Sequence, residues 1–230
     1  MTEDENDSPT RASDTVYRHI LHDILARRRP EQILRITIDG VDGSGKTYFA
    51  NNLANYLRNK KLPAIRISLD DFHNLRSKRY AQGRLSPKGF YEDSYDYDAF
   101  IASVLVPLSK NGNGAYRAKY HDVETDELLD TPLQQADPNA VIIVDGIFSH
   151  RDELVEYWDY SIFLQVDFKT TFQRMAVRDG GEIDPQDEKN KRYHGGQLLY
   201  FRDCNPQQRA SVVIDNRDFN HPRIIEQKST

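Results

Sequence analysis

The phosphate-loop pattern G-x-x-x-x-G-K-S/T is matched in full by the stretch Gly40-Val41-Asp42-Gly43-Ser44-Gly45-Lys46-Thr47. Glycine has no Cβ, so successive backbone N–H groups in such a loop can turn inward toward one anion. The stretch follows a run of β-branched residues and opens a predicted helix, whose N-terminus adds partial positive charge. The sequence therefore predicts a loop that holds the phosphates of a nucleoside triphosphate.

Two side chains at the end of this loop have predicted chemical roles. Lys46 is expected to reach the outer phosphates as a point charge, and the Thr47 hydroxyl is expected to be a ligand of Mg²⁺. A GTPase would also carry an Asn-Lys-x-Asp segment that reads guanine, but the stretch 59–62 fails at its last position, Leu62. The residues predicted to contact the nucleotide are Gly40, Asp42, Gly43, Ser44, Gly45, Lys46 and Thr47.

The loop belongs to a recurring pattern in which a short β-branched run stops at an aspartate. Between the first two runs, residues 48–58 carry an apolar stripe at helical spacing. This order, with apolar runs instead of strict alternation, predicts an α/β fold with a parallel sheet covered on both faces. The carboxyl ends of parallel strands meet at the edge where α/β proteins bind ligands. The runs are 33–38, 64–69, 141–144, 162–166 and 212–214, and they stop at Asp39, Asp70, Asp145, Asp167 and Asp215.

Composition and charge restrict the class of protein. The 230 residues are 38% hydrophobic and 29% charged, which indicates a soluble globular chain with one substantial core. A net charge of −5 argues against a nucleic-acid binder with a broad basic face. The longest aliphatic run, 140–144, is far shorter than the ~20 residues that cross a bilayer, and residues 1–5 lack the features of a signal peptide. A cytoplasmic protein is expected, and the single cysteine, Cys204, agrees with a reducing compartment.

The chain divides into a tail and one domain. Residues 1–14 are polar and acidic without an apolar period, which predicts a mobile tail. Residues 15–230 are predicted to form a single domain around the phosphate loop. Within it, the turn-forming residues 111–114 open a hairpin or long excursion over about 111–139, a kind of segment that often carries specificity. The sequence leaves the oligomeric state open, including a homo-oligomer.

Asp70 is the candidate for orienting an acceptor. If the first strand, helix and second strand form a right-handed unit, Asp70 emerges on the same edge as the phosphate loop. A carboxylate there can accept the hydrogen bond of an attacking hydroxyl and aim its oxygen at the γ-phosphate. The alternative interpretation of Asp70 is a turn or cap residue. His73 lacks an evident metal-binding partner and is interpreted as structural or substrate-facing.

Several stretches in order resemble the uridine kinase and phosphoribulokinase family of P-loop small-molecule kinases. The resemblance covers roughly residues 33–225. The phosphate loop is widely shared among proteins, whereas the ordered set is specific. Beyond the loop, the matching stretches are 70–73 (Asp-Asp-Phe-His), 95–100 (Tyr-Asp-Tyr-Asp-Ala-Phe), 141–148 (Val-Ile-Ile-Val-Asp-Gly-Ile-Phe), 174–179 and 210–216.

This resemblance implies a nucleoside-monophosphate-kinase-like, three-layer fold with a five-stranded parallel core, and transfer of the γ-phosphate of ATP to a hydroxyl. It makes Asp70 the catalytic base, Asp96 a partner for sugar hydroxyls and Asp145 a metal-site residue. It also implies an arginine-bearing lid over about 174–195, in which Arg174 and Arg178 close on the transferring phosphate. The cofactors implied are ATP and Mg²⁺.

The acceptor is the part of the function for which alternatives remain. Uridine kinases usually carry Tyr-Asp-x-x-Thr-His-Ser-Arg in the excursion, but here the stretch beginning at Tyr120 has one extra residue and Asp126 in the place of that histidine. The arginines at 76, 79 and 84 suit an anionic acceptor equally well. The residues predicted to contact the acceptor are Asp70, His73, Arg84, Asp96 and Tyr120.

Three functions therefore follow from the sequence. The first is a kinase for the 5′-hydroxyl of uridine or cytidine. The second is a kinase for a non-nucleoside acceptor such as pantothenate, glycerate or a sugar phosphate. The third is a regulatory protein that uses the phosphate loop as a nucleotide switch and has no small acceptor.

Overall fold

The computed structural model describes residues 9–228 and places the phosphate loop at the centre of one sheet. Strand β1 (Leu34–Gly40) leads into the loop, and helix α2 (Lys46–Asn59) follows it. The remaining strands are β2 (Ala64–Ser68), β3 (Ala115–Tyr116), β4 (His121–Asp122), β5 (Glu127–Leu128), β6 (Gln134–Gln135), β7 (Val141–Asp145), β8 (Tyr160–Gln165), β9 (Val212–Asp215) and β10 (Arg223–Gln227). The remaining helices are α1 (Pro9–Arg27), α3 (Arg76–Arg79), α4 (Pro87–Asp93), α5 (Tyr97–Phe100), α6 (Phe168–Asp179), α7 (Lys191–Cys204) and α8 (Pro206–Arg209).

The main sheet has the strand order β10-β9-β8-β1-β7-β2. The five strands from β9 to β2 are parallel, which confirms the predicted parallel core, and β10 is antiparallel to β9. The sixth strand was not predicted from the sequence. Its residues are mostly exposed, so it has no continuous buried run of the kind that marks the other five.

Both faces of this sheet are covered, and β7 shows why its sequence is continuously apolar. Val141 and Ile143 pack into the core on the α1 and α2 side. Ile142 and Val144 pack into a second core, which includes residues of α4, α5 and α7. Because successive side chains of a strand point to opposite faces, a strand between two helical layers must be apolar at every position.

The N-terminal helix begins earlier than its apolar pattern. Helix α1 starts at Pro9, so residues 9–14 of the predicted tail are helical, and residues 1–8 lie outside the described residues. Asp14 is exposed, whereas Val16 is only 4% exposed and packs in the core. The apolar period therefore starts where the helix meets the core, and the preceding turns carry no such signal.

The excursion over residues 111–139 contains two short antiparallel pairs, β3 with β6 and β4 with β5. Asp126 of the excursion contacts both ends of helix α3. The Asp126 carboxylate accepts hydrogen bonds from the Arg76 backbone N–H at 2.9 Å and from His121 Nε2 at 3.2 Å, and it lies 3.5 Å from Arg79 Nη2. Asp126 thus holds the excursion against α3.

A buried carboxylate lies at the end of β1, directly before the phosphate loop. Asp39 accepts hydrogen bonds from the Gly40 N–H at 2.6 Å, from His150 Nδ1 at 2.7 Å and from the Tyr200 hydroxyl. Asp39 and His150 have no exposed surface, and Tyr200 is 1% exposed. This network joins β1, the segment after β7, and α7, so the start of the loop is fixed by elements far apart in sequence.

We expect Ile143→Ala to lower the free energy of unfolding by about 2–5 kcal/mol, because it opens a cavity in a strand that is buried on both faces. Ile225→Ala is the matched control, since Ile225 is 45% exposed on β10. Its expected effect is within about 0.5 kcal/mol. Urea denaturation measures both, and equal losses in the two variants would contradict the assignment of the core.

Candidate active site

The phosphate loop has the backbone geometry of an anion site. Gly43 and Gly45 have φ of +75° and +92°, a region that glycine adopts without steric cost. Within the described residues, neither of their amide N–H groups has a hydrogen-bond partner. Helix α2 begins at the next residue, Lys46, and its first turn adds further unpaired amides and the positive end of the helix dipole. The loop therefore presents several donors toward one negatively charged group.

Two side chains hold the loop from outside, and sequence reasoning did not assign either of them a role. Gln197 on α7, fully buried, accepts a hydrogen bond from the Asp42 N–H at 2.8 Å. Asn216, after β9, donates from Nδ2 to the Ser44 carbonyl at 2.8 Å. Both contacts span more than 150 residues of sequence; Asn216 ends a family-matching stretch, but nothing local indicates which loop residue either side chain would contact.

The side chain of Lys46 folds back onto the loop. Its ammonium donates to the carbonyls of Gly40 at 2.9 Å and Val41 at 3.0 Å, and it lies 4.0 Å from Asp42 Oδ1. These partners are neutral carbonyls and one carboxylate at the limit of ion-pair distance. A polyphosphate in the loop would offer this ammonium stronger, charged acceptors.

The donor set next to the loop fits Mg²⁺. The Thr47 hydroxyl donates to Asp145 Oδ2 at 2.8 Å, so the two predicted metal-site residues are adjacent. Hydroxyl and carboxylate oxygens are ligands that Mg²⁺ prefers. Arg66, which the sequence did not single out, lies with Nη2 2.7 Å from Asp145 Oδ1 and balances the charge of this buried carboxylate. Residues Thr47 and Asp145 would hold the ion directly or through its waters.

Asp70 lies in a cleft of about 400 Å³ beside the loop. The cleft brings together Asp42 of the loop, Asp70 and His73 after β2, and Arg178 on α6. Burial raises the pKa of Asp42, and Lys46 partly offsets that rise. Because Asp42, predicted as a nucleotide contact, lines the same cleft as Asp70, it lies on the side of the loop that faces Asp70. The cleft is completed by Phe90, Tyr95, Val123, Phe172 and Tyr193, among others.

His73 lies beside Asp70 and is tied to it. Its Nδ1–H donates to the Asp70 carbonyl at 2.7 Å, and its ring lies against Tyr95 with a centroid distance of 4.6 Å. Burial lowers the pKa of His73, so the neutral imidazole is favoured near neutral pH. With Nδ1 protonated, the neutral ring carries an unprotonated Nε2 that can accept a hydrogen bond.

The two predicted lid arginines occupy different sites. Arg174 lines a second groove of about 590 Å³ together with Gly43, Gly45 and Phe219. Its guanidinium lies 3.9 Å from the centroid of the Phe219 ring and donates to the backbone carbonyls of residues 43, 216 and 217. Arg178 lines both this groove and the Asp70 cleft, and it is paired with Asp179 at 2.6 Å. Arg178 therefore lies between the two cavities, and its role in a lid stays a prediction.

Three predicted acceptor residues lie outside the lining of the Asp70 cleft. Arg84 is exposed and lies over the Tyr80 ring, 5.2 Å from its centroid. Asp96 caps α5 by accepting the Ala99 N–H at 2.9 Å. Tyr120 stacks on Phe72 at 6.3 Å between centroids. Contact of these side chains with an acceptor stays a prediction.

Arg192 of the predicted lid and Arg76 of α3 are both held by protein groups. Arg192, 4% exposed, donates to the carbonyls of Arg79 and Ser86. Arg76 donates to the carbonyls of Val123 and Glu124. These guanidinium groups therefore support the excursion and the cleft walls.

The parallel strand order, the phosphate loop after β1 and Asp70 after β2 define a P-loop kinase fold. A family model described as AAA domain matches residues 36–194, which is well over half of the chain. The protein therefore belongs to this family, AAA_18. No curated protein matches the chain.

Solved structures share the fold at low identity. The "Possible Uridine Kinase" from Bacillus stearothermophilus is 23% identical with a TM-score of 0.68, over 88% of this chain and 96% of that one. D-glycerate 3-kinase from Cryptococcus neoformans is 12% identical with a TM-score of 0.61, over 93% and 99% of the two chains. Phosphoribulokinase from Rhodobacter spheroides is 14% identical with a TM-score of 0.56, over 80% and 70%. The predicted fold and the family resemblance are thereby confirmed at the level of the fold.

Two further kinds of feature are absent from residues 9–228. No helix in this part of the chain is long and apolar enough to span a membrane. In the same residues, no cluster of three or more His, Cys, Asp or Glu side chains has the arrangement of a metal site. The oxygen pair of Thr47 and Asp145 is thus a partial ligand set, of the kind that water and phosphate oxygens complete.

We expect Gly45→Ala to weaken nucleotide binding about tenfold or more, because its Cβ would lie 2.4 Å from Phe219 Cε1 and push the loop out of shape. Gly83→Ala is the matched control: it has a φ of +97° but no atom within 4 Å of the added Cβ. Both variants share the backbone strain of about 1–2 kcal/mol, so only the clash differs. Calorimetric titration with ATP and Mg²⁺ measures the effect, and unchanged affinity in Gly45→Ala would contradict it.

Proposed function

We propose that this protein is an ATP- and Mg²⁺-dependent kinase that acts in the cytoplasm on the hydroxyl of a small molecule, and that its acceptor is the 5′-hydroxyl of uridine or cytidine. One observation carries the proposal: a carboxylate, Asp70, and a loop residue, Asp42, line one cleft. An alcohol bound in that cleft lies between a hydrogen-bond acceptor and the loop that would hold the γ-phosphate.

The proposed reaction uses side chains whose positions are described above. Asp70 accepts the hydrogen bond of the acceptor hydroxyl and aims its oxygen at the γ-phosphorus; the proton moves to Asp70 late, since phosphoryl transfer has a loose transition state. Lys46 exchanges its loop carbonyls for phosphate oxygens. Arg178 neutralises charge on the transferring group from the cleft side. Bound Mg²⁺, held through Thr47 and Asp145, supplies further charge neutralisation.

The charge of the cleft supports an acceptor without an anionic group. Its lining includes the carboxylates of Asp42, Asp70, Asp179 and Glu182, whereas Arg178 is its only cation among the described residues and already faces Asp179. A sugar phosphate or a carboxylate would be repelled by this set. The arginines at 76 and 79, which the sequence offered as anion ligands, are held by carbonyls and by Asp126.

The aromatic lining supports a nucleoside among neutral acceptors. Phe90, Tyr95 and Tyr193 contribute to the walls of the cleft, and such side chains stack on planar bases. His73 adds a hydrogen-bond acceptor for a ribose hydroxyl or a base N–H group. Asp96 and Tyr120 lie outside the lining of the cleft and remain proposed contacts of the acceptor.

A coupled ADP-release assay over nucleosides, pantothenate, glycerate and sugar phosphates separates the candidate functions. Turnover that depends on uridine or cytidine supports the proposal. Turnover with an anionic acceptor alone would assign a different substrate, and ATP binding without turnover on any acceptor would favour a regulatory nucleotide-binding protein.

We expect Asp70→Asn to lower kcat by roughly 10²–10⁴ while ATP affinity is retained, because an amide oxygen is a poor acceptor for the hydroxyl proton. Asp71→Asn is the matched control, since Asp71 lies 3.7 Å from Lys119 of the excursion and does not line the cleft. Steady-state kinetics with the best acceptor of the panel gives both values. Full turnover by Asp70→Asn would remove Asp70 from the mechanism.

A further inference from the structure

The Asp70 carboxylate needs a hydrogen-bond partner to fix its orientation, because Asp70 is exposed to solvent. The turn 69–72 that carries it follows β2, and Asp70 is exposed while its neighbours Leu69 and Phe72 are fully buried. An exposed carboxylate exchanges among several rotamers, and water solvates both of its oxygens equally. Positioning errors of about 1 Å cost phosphoryl transfer heavily, so a freely rotating base would be a poor one.

One side chain restrains the carboxylate. The Tyr95 hydroxyl donates to Asp70 Oδ1 at 2.8 Å, and among the described residues no other group is hydrogen-bonded to that carboxylate. Tyr95 is 6% exposed and lines the same cleft. A hydrogen bond from a buried phenol to an exposed carboxylate fixes one oxygen and leaves Oδ2 to receive the acceptor hydroxyl.

Tyr95 is itself held rigidly against the turn that carries Asp70. The segments at His73 and Tyr95 form an antiparallel bridge, and the Asp96 N–H donates to the Phe72 carbonyl at 2.8 Å. The buried Asn74 side chain donates to the Tyr95 carbonyl at 2.7 Å. The His73 ring packs on the Tyr95 ring. The phenol therefore cannot move without the base-bearing turn.

The phenol stays a donor at any working pH. Burial and the nearby Asp70 carboxylate both raise the pKa of Tyr95 well above its ordinary value. The hydroxyl is therefore protonated, and since the Asp70 carboxylate is its only hydrogen-bond partner within residues 9–228, it must donate.

We infer that Tyr95 is a positioning residue for the base, and that its hydroxyl holds one oxygen of Asp70 so that the other is aimed at the acceptor. The inference rests on the proposed kinase function. It assigns a role to a hydroxyl next to Asp96, in a stretch from which the family resemblance implied a role for the aspartate.

The test is Tyr95→Phe, which keeps the ring and removes the hydroxyl. Tyr97→Phe is the matched control, because the Tyr97 hydroxyl is buried, has no hydrogen-bond partner in the described residues, and belongs to a ring 6.0 Å from that of Tyr95. We expect Tyr95→Phe to lower kcat about ten- to a hundredfold, as for loss of a hydrogen bond to a charged group, with the KM for ATP unchanged. Tyr97→Phe is expected to keep the wild-type kcat.

A double-mutant cycle separates positioning from structural damage. In the Asp70→Asn background, Tyr95→Phe is expected to cause no further loss, since there is no carboxylate left to aim. An equal loss in both backgrounds, or wild-type kcat in Tyr95→Phe, would overturn the inference while the kinase assignment stands. Absence of acceptor-dependent turnover in the wild-type protein itself would overturn the proposed function and this inference together.

Discussion

The buried carboxylate of Asp39 is the contact on which the site depends. It receives the Gly40 N–H, His150 Nδ1 and the Tyr200 hydroxyl in a region without solvent, where an unpaired charge would be strongly destabilising. The three donors reach this carboxylate only if β1, the segment after β7 and α7 lie next to each other. The phosphate loop starts one residue later, so its position relative to both flanking walls is fixed before any ligand binds.

The site itself is organised by charge. The loop and the start of α2 supply positive potential on one side, and the Asp70 cleft supplies carboxylates on the other. Electrostatics therefore favours a polyanion in the first region and disfavours one in the second. The boundary between the two regions runs through Asp42, whose backbone belongs to the loop and whose side chain faces the cleft.

What the sequence could and could not predict follows from the range of each interaction. The five parallel strands and the loop were predictable because their signals are local: buried apolar runs, and glycines at fixed spacing before Lys46. The pairing of Arg66 with Asp145 depends on the register of β2 against β7, and the contact of Gln197 with the loop spans 155 residues. The direction of Asp70 likewise depends on Tyr95, which lies in a family-matching stretch, but the hydrogen bond between the two residues spans 25 residues of sequence and has no local signal.

The contact of the excursion with α3 through Asp126 limits how either segment can be altered in the folded protein. Arg79 is 8% exposed, and Asp126 is its only ion-pair partner among the described residues. A replacement of the excursion that removed Asp126 would leave a buried guanidinium uncompensated, at a cost of several kcal/mol. The excursion and α3 are therefore coupled through this ion pair, and the excursion can be replaced without loss of stability only if α3 is replaced with it.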